Sequence, residues 1–272
     1  MRGRSNSETS RGSRHLLKRI LTMTTSPVIL IAGITGGIGA EVARRLGAAG
    51  WRVAGFARDQ AKLAALSAEL PSLFTVSADA TQPAEVAGVV QAVLSQFGRI
   101  DAYVHAVGSI ILKPAHLTKD EEWLRTLDLN LNSAFYALRA VLAPMQAQNS
   151  GSIILVSSVA AQVGLPNHEA IAAAKGGING LVLAAAATYP PRRIRVNAVA
   201  PGLVDTPLAA PMLGSEAGRA LAEKMHPLGQ LGRASHVGSL IAWLASPDAE
   251  WVTGQIWSMD GGMAHVRSKP KV

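Results

Sequence analysis

The sequence predicts an α/β protein in which a doubly wound parallel sheet of about seven strands carries helices on both faces. The first observation is a set of short apolar runs, such as Val28 to Ala32, which are typical of parallel strands covered on both sides. The second is that segments with apolar residues at helical spacing follow those runs, as between Val86 and Phe97. The third is that this alternation continues without a linker, so residues 23–263 are expected to form one domain.

The predicted strands are recognised by short runs of apolar and β-branched residues that end at turn-forming residues. They lie within residues 28–32, 51–57, 73–77, 101–107, 153–156, 195–200 and 255–259. The predicted helices follow from apolar positions that recur with the helical period. They lie within residues 38–46, 63–70, 86–97, 118–147, 168–188 and 237–245. Residues 203–226 carry no clear period and are predicted to be a loop-rich insertion that covers an apolar pocket.

The net charge of +8 is concentrated at the two ends of the chain. Residues 1–22 contribute +5 and the last six residues contribute +3, so the body between them is neutral. A neutral body argues against a basic groove, and we expect no nucleic-acid partner. Residues 1–22 are expected to be a disordered basic extension and residues 264–272 a basic C-terminal tail. The Arg- and Ser-rich start also fits an organellar transit peptide, and translation from Met23 is the simpler alternative.

The chain has no cysteine, which excludes disulfides and thiolate metal sites and permits a reducing cytoplasm, where we expect the protein to act. No metal site is expected. Uninterrupted apolar runs of about 18 residues do not occur, because Gly, Ser, Thr and Pro interrupt every candidate. We therefore expect no membrane association.

A glycine-rich turn connects the first predicted strand to its helix. It runs from Gly33 through Thr35 and Gly37 to Ile38 and Gly39. Glycines let the backbone turn sharply and approach a pyrophosphate, while the N–H groups that start the helix point at the anion. In this place the pattern predicts a dinucleotide site, although a tight turn alone would also account for the glycines.

The end of the second predicted strand bears on which dinucleotide is bound. NAD sites of this kind place a carboxylate there for the ribose 2′-hydroxyl, whereas a 2′-phosphate needs a cation. The strand ends in Ala57 and Arg58 with no acid at the key position, which favours NADP(H) as the cofactor. After the third strand, Asp79 and Ala80 are predicted to border the adenine, with Asp79 accepting from its amino group or, alternatively, capping a helix.

Several motifs together resemble the short-chain dehydrogenase/reductase family. They are the glycine turn, Asp79, Asn130, Ser158, Lys175, the segment from Asn197 to Gly202 and the ending Asp260-Gly-Gly262. The resemblance spans essentially residues 23–263. It implies a single-domain Rossmann fold, a nicotinamide dinucleotide and a small-molecule substrate. It also implies a homotetramer or homodimer paired through the helices of residues 118–147 and 168–188.

The resemblance also implies roles for individual residues. Lys175 would hold the nicotinamide ribose, Ser158 would hydrogen-bond the substrate oxygen, and Asn130 would hold a water of the proton relay. Other positions that would line the cofactor are Gly108, Pro201, Gly202, Val204 and Thr206. Two of these roles have a structural alternative, since Asn130 can be a buried helix amide satisfied by backbone and Ser158 a turn residue at a strand end.

The chain departs from the family's pattern at the place of the proton donor. The family's Tyr-x-x-x-Lys motif reads Ile171-Ala-Ala-Ala-Lys175, so the phenol that protonates a carbonyl is absent. General acid catalysis of this kind is commonly worth about 10²–10⁴ in rate. The family's Asn-Asn-Ala-Gly reads His105-Ala-Val-Gly108, and Ala32 precedes the glycine turn where the family has Thr; both are differences of shape.

Three hypotheses account for the missing phenol. In the first, His168 donates the proton to a small, moderately hydrophobic carbonyl compound, because it lies three residues before Ile171 and Asn167 can cap a helix that begins there. A solvent-facing loop residue is the alternative for His168. In the second hypothesis the substrate is an activated C=C or C=N bond, and water or Ser158 suffices. In the third, the protein binds NADP(H) without turnover, as a sensor or a partner subunit.

Overall fold

The computed structural model describes residues 26–267. The strands are Val28–Ala32 (β1), Arg52–Ala57 (β2), Phe74–Ser77 (β3), Ala102–His105 (β4), Gly151–Val156 (β5), Ile194–Pro201 (β6), Val204–Asp205 (β7), Gly232–Arg233 (β8) and Ile256–Met259 (β9). Seven of them form one sheet in the order β3-β2-β1-β4-β5-β6-β9, and β7 pairs with β8. Every pairing is parallel. The predicted seven-stranded parallel sheet is therefore confirmed, while the predicted extension 1–22 lies outside the described residues.

Nine α-helices connect these strands within residues 26–267. They are Gly37–Ala48 (α1), Gln60–Glu69 (α2), Pro83–Phe97 (α3), Asp120–Leu127 (α4), Ser133–Gln148 (α5), Glu169–Thr188 (α6), Ala210–Leu213 (α7), Glu216–Met225 (α8) and Ala234–Ala245 (α9). The helix predicted over residues 118–147 is two helices joined by a π-helical turn, Asp128–Asn132. The insertion predicted to be loop-rich contains α8, whose first turn is capped by Ser215 Oγ accepting from Gly218 N.

Alternating side chains of the strands build an apolar layer on each face of the sheet. On β1, Leu30 packs toward α3, α5 and α6, while Ile29 and Ile31 pack toward α1 and α9. All five residues of β1 are buried, as their continuous apolar run predicts for a central parallel strand. Burial on both faces fixes the register of the strand, since a slip by one residue would exchange the two layers.

The strand order places an open crevice at the carboxyl ends of β1 and β4. The chain moves outward from β1 through β2 to β3 and then returns to β4 on the other side of β1. At such a reversal the two crossover helices diverge and leave space above the strand ends. The glycine turn after β1 and the segment after β4 both open into this space.

Helix α6 is long and apolar enough to cross a membrane, judged by length and composition only. A core helix of a globular domain has the same character, and α6 packs along β6 with Ala174, Ile178 and Val182 fully buried. Its outer face still carries Leu183, which is 54% exposed, and the neighbouring helix α5 carries Phe135, which is 46% exposed. The two helices predicted to pair subunits therefore both present apolar side chains outward.

The predicted basic tail begins inside the described residues. Val266 N donates to Gly262 O and Ala264 N donates to a carboxylate oxygen of Asp260. The first residues of the tail are thus part of the turn that follows β9. Residues 268–272 lie outside the described part of the chain.

Candidate active site

A cavity of about 620 Å³ lies over the glycine turn at the carboxyl ends of β1, β2 and β4. We call it the glycine-turn cavity. The predicted cofactor residues that line it are Gly33, Thr35, Gly37, Ile38, Arg58, Asp79, Ala80, Gly108 and Thr206. Its volume lies within the range of natural ligand pockets. The structure thus brings together predicted residues from five separate segments of the chain, which follow β1, β2, β3, β4 and β7.

Two glycines that line this cavity stand too close to their neighbours to carry a side chain without a shift. Gly33 has φ +74°, and a Cβ there would stand 2.8 Å from Ala106 O. A Cβ on Gly37 would stand 2.7 Å from Thr206 Cγ2, so the start of α1 touches the segment after β6. Gly39 does not line the cavity; it lets α1 pack directly on the carbonyl of Gly33. The turn therefore has the close backbone approach that a pyrophosphate needs.

The start of α1 is free to bind an anion. Gly36 occupies the N-cap position and supplies no side-chain hydrogen bond to the first turn. No acidic residue lies in that turn. The unpaired N–H groups and the positive end of the helix dipole therefore face the cavity without a competing carboxylate.

Charged side chains surround the far end of the glycine-turn cavity, beyond β2. Arg58 is mostly exposed and its Nη1 lies 3.8 Å from Asp79 Oδ2. Asp79 Oδ1 accepts from Thr81 N at 2.9 Å, which closes the turn before α3, whereas the N-cap of α3 is Gln82. Asp79 is thus not the helix cap that was the alternative for it.

Two further charged residues line this end and were missed by the sequence reasoning. Lys62 lies on the first turn of α2, and Asp59 caps that helix by accepting from Lys62 N at 3.0 Å. This bond is the main reason why the pKa of Asp59 is lowered. A D-x-x-K pattern directly after Arg58 is the signal that would have pointed to both.

Lys175 is buried below the crevice, between α6 and the end of β5. Its Nζ donates to Val156 O at 2.7 Å. Burial lowers the pKa of Lys175 from 10.5 to about 8. Ser157 fixes this arrangement, because its hydroxyl donates to Asn179 Oδ1 at 2.6 Å and so holds the end of β5 against α6.

Asn130 lies in the π-helical turn and is completely buried. Its Oδ1 accepts from Ser109 N at 3.1 Å, and its Nδ2 donates to Ser109 Oγ and to Thr126 O, each at 3.0 Å. A Cβ on Gly108 would stand 2.7 Å from Asn130 Oδ1 and 3.6 Å from Lys175 Nζ. Asn130, Gly108 and Lys175 therefore converge, and the amide holds the segment after β4 in place.

A second cavity, of about 300 Å³, is bordered by the same segment after β6 that contributes Thr206 to the first. We call it the apolar cavity, and its lining includes Ser158, His168, Ile171, Gly202, Leu203, Met212, Leu221, Met225 and His226. Three residues predicted around the missing phenol, Ser158, His168 and Ile171, thus border one space. Gly202 borders this cavity and not the glycine-turn cavity, while Pro201 and Val204 line neither.

Ser158 lies just after β5, where the apolar cavity meets the sheet. Its Oγ accepts from Ala160 N at 3.1 Å and caps a short 3₁₀ turn, Val159–Ala161. The turn role foreseen for Ser158 is therefore real. A hydroxyl that accepts with its lone pair still carries its proton, so Ser158 can also donate to a group in the cavity.

His168 precedes the first residue of α6 and occupies its N-cap position. The expected cap, Asn167, is wrong, because Asn167 has φ +63° and lies outside the helix. His168 Nδ1 lies 2.7 Å from Pro166 O, and since a carbonyl only accepts, Nδ1 carries the proton. Within residues 26–267, Nε2 has no hydrogen-bond partner. The ring is therefore held in one tautomer with one nitrogen uncommitted.

Two buried histidines were not predicted to have a role. His105 Nδ1 lies 2.8 Å from the Tyr103 hydroxyl and His105 Nε2 lies 3.0 Å from Ser133 Oγ, which donates to Leu129 O in the π-helical turn. Burial and then the charge of Lys175 lower the pKa of His105 from 6.5 to about 3, so the ring is neutral. The other, His226, is bonded at both nitrogens. No local sequence pattern marks either residue.

The sequence model of the enoyl-(acyl carrier protein) reductase family matches residues 33–264. The chain is 33% identical over 241 residues to 3β-hydroxysteroid dehydrogenase 1 of Eggerthella lenta, covering 86% of this chain and 92% of the relative. It is 32% identical over 237 residues to the 3-oxoacyl-(acyl-carrier-protein) reductase of Escherichia coli, covering 87% and 96%. The crystal structure of an actinorhodin polyketide ketoreductase variant with NADPH is 30% identical and superposes with a TM-score of 0.86, covering 89% of this chain and 98% of that one.

Proposed function

Because the chain belongs to the short-chain dehydrogenase/reductase family, we propose that it is an NADP(H)-dependent oxidoreductase. Its substrate is a small, moderately hydrophobic carbonyl compound or the corresponding alcohol, and His168 takes the place of the missing phenol. The observation that carries this proposal is that one short segment after β6 borders both cavities. Thr206 lines the glycine-turn cavity, while Gly202 and Leu203 line the apolar cavity.

The preference for NADP(H) rests on charge at the end of β2. Arg58 and Lys62 are cations on the wall of the glycine-turn cavity, and Ala57 stands where an NAD site would place a carboxylate. Asp59 is committed to capping α2 through Lys62 N. A ribose 2′-phosphate would therefore meet two cations, and a similar structure has been solved with NADPH.

The bound dinucleotide would supply the hydride, and the chain's own residues would manage the substrate oxygen. Ser158 Oγ would donate a hydrogen bond to that oxygen. Protonated His168, held through Nδ1 by Pro166 O, would give up the proton on Nε2 as hydride reaches the carbonyl carbon. Oxidation of the alcohol is the reverse, with neutral His168 accepting the proton at Nε2. Lys175 would hold the nicotinamide ribose from below.

A reductase of activated C=C or C=N bonds is the second candidate. It is favoured by the apolar residue at the position of the phenol, since Ile171 is 4% exposed and lines the cavity wall. The matching family model also describes enoyl reductases. Such a reaction needs only water or Ser158 to deliver a proton after hydride transfer.

The test is NADPH oxidation measured with a panel of ketones, enones and imines, comparing the parent with His168→Ala. His116→Ala is the matched control, because His116 is an exposed histidine that lines neither cavity. We expect ketone reduction to fall by about 10²-fold or more in His168→Ala and to be unchanged in the control. Enone or imine reduction that survives His168→Ala would support the second candidate. Tight NADPH binding without turnover across the panel would point to a sensor or partner subunit.

We also propose that two or four copies assemble through α5 and α6, as is common in the family. Phe135 and Leu183 are apolar side chains left exposed on the outer faces of these helices. Replacing both by Lys should shift the mass measured by light scattering to that of the monomer. An unchanged mass would place the interface elsewhere.

A further inference from the structure

His226 lies between two segments that line the apolar cavity, helix α8 and the residues that follow β6. It is 3% exposed and follows the last residue of α8. Its Nδ1 lies 2.7 Å from Ala222 O, where it can only donate, and its Nε2 accepts from Leu203 N at 3.1 Å. Both nitrogens are committed, and only the neutral Nδ1–H tautomer makes both bonds.

The position of this ring explains why residue 202 is a glycine, although the backbone conformation there would allow other residues. Gly202 has no positive φ, yet a Cβ there would stand 2.6 Å from His226 Nε2. The imidazole therefore reaches the Leu203 N–H only because residue 202 has no side chain. Gly202 was predicted to line the cofactor; its closest side-chain neighbour is instead His226.

Helix α8 has little else to hold it in place. Ala222 is its only buried residue, and Leu221 and Met225 are exposed around the mouth of the apolar cavity. An exposed ion pair, Arg219 to Asp205 at 2.8 Å, is a second link to the segment after β6, and it is screened by solvent. The buried link runs through His226, which accepts from Leu203 N and donates to Ala222 O.

His226 also separates two spaces. Together with Gly202 and Leu203 it lines the apolar cavity on one side and, on the other, a cavity of about 360 Å³ that is lined in addition by Gln230, His236 and Asp260. The ring is buried between these cavities against the backbone of Gly202. Its two hydrogen bonds fix the orientation of the ring there.

The geometry points to His226 as a positioning residue that ties α8 to the backbone of Leu203. Because α8 covers the apolar cavity and Leu203 belongs to the segment that faces the nicotinamide, His226 holds these two parts of the site together. The inference rests on the proposed function, in which that segment borders both the cofactor and the substrate. His226 itself transfers no proton, because neither nitrogen is free. Its effect is to fix the relative position of the two binding sites.

Two single-bond variants test this role. His226→Asn can still donate to Ala222 O from its amide but is too short to accept from Leu203 N, whereas His226→Gln can accept from Leu203 N but leaves Ala222 O without a donor. His226→Phe keeps the ring and loses both bonds. The readouts are peptide hydrogen exchange around Leu203 and over 216–225 in the ligand-free protein, NADPH affinity by fluorescence, and kcat and KM for the best ketone.

We expect protection around Leu203 to survive in the Gln variant and to be lost in the Asn and Phe variants, with NADPH affinity about five-fold weaker in the latter two. Protection of 216–225 should survive in the Asn variant and be lost in the Gln and Phe variants, with KM about five-fold higher and kcat nearly constant in the Gln variant. If His226→Phe does not fold, the Asn and Gln pair decides.

Identical behaviour of the Asn and Gln variants in every readout would overturn the inference, because it would mean that only the ring's bulk matters. Parent-like behaviour of all three variants would overturn it too. A parent that binds NADPH but reduces nothing would refute the proposed function. In that case hydrogen exchange and NADPH affinity still decide whether His226 ties the two segments together.

Discussion

The ammonium of Lys175 donates a 2.7 Å hydrogen bond to the carbonyl of Val156, the last residue of β5. The ammonium is otherwise surrounded by protein and removed from water. This burial lowers the pKa of Lys175 to about 8. A buried charge with one carbonyl partner is less stable than the same charge in water. The lysine is thus retained at a cost to the stability of the ligand-free protein.

Replacing Lys175 by Met should remove a pH dependence of stability. Between pH 8 and 10.5 the unfolded chain holds the lysine proton and the folded protein does not, so the folded state gains stability as pH rises through this window. The gain approaches about 3 kcal/mol. Urea unfolding of parent and Lys175→Met across the window measures it. If the free energies of unfolding of the two proteins changed with pH in parallel, the lowered pKa of Lys175 would be contradicted. Loss of turnover in the variant is expected whichever result is found.

Acid should destabilise the protein through His105. The folded-state pKa of about 3 lies below the ordinary value of 6.5, so between these values the unfolded chain binds a proton that the folded protein excludes. Stability falls as pH falls through this window, by about 1.4 kcal/mol per pH unit from this group. Urea unfolding of His105→Asn should show a shallower fall than the parent. His116→Asn, a change at an exposed histidine, should keep the parent's slope; equal slopes in all three would show that His105 is not responsible.

Restoring the phenol should rescue an enzyme that lacks its substitute donor. In a His168→Ala background, Ile171→Tyr places a hydroxyl at the wall of the apolar cavity, four residues before Lys175. We expect ketone reduction with NADPH to rise by about 10²-fold or more over His168→Ala alone. Ile171→Phe in the same background adds the ring without the hydroxyl and should give no gain. If Tyr and Phe behave alike, Ser158, Lys175 and Asn130 are not arranged for carbonyl reduction.

Removing Arg58 should weaken NADPH binding without affecting NADH. A charged hydrogen bond to the 2′-phosphate is worth about 10- to 100-fold in affinity, and NADH has no such group. Arg58 is 62% exposed and its ion pair with Asp79 spans 3.8 Å, so Arg58→Ala should leave the free energy of unfolding nearly unchanged. Arg45→Ala, which removes an exposed cation paired with Glu41 away from both cavities, is the control. Equal losses for the two dinucleotides would exclude a role of Arg58 in choosing between them.

The sheet and its crevice could be predicted because their signals are local. A continuous apolar run such as β1 and a glycine turn directly after it need no distant contact to be recognised. Helix α8 gave a weaker signal, since its apolar face of Leu221, Ala222 and Met225 spans little more than one turn and borders a cavity, so that only Ala222 is buried. The π-helical turn was also missed, because Leu127 and Leu131 keep the helical spacing across it.

The site was predictable only in part, for a related reason. Ser158, Lys175 and Asn130 could be placed by their spacing from strands and turns. The cap of α6 was wrong because the left-handed conformation of Asn167 depends on the chain around it. His226 accepts from a backbone N–H that lies 23 residues earlier in the chain, and no periodicity predicts such a contact.

The π-helical turn at Asp128–Asn132 has a consequence for helix α5 as a whole. One extra residue in a helix rotates everything after it by about 100° relative to what precedes it. Ser133 meets His105, and Ala137 and Val141 meet the sheet, only in the rotated phase. Deleting one residue from the turn would straighten the helix and swing this face out of the core. The number of residues in the π-helical turn therefore sets both the direction of the buried face of α5 and the position of Asn130 beside Lys175. A single deletion in the turn would change both at once.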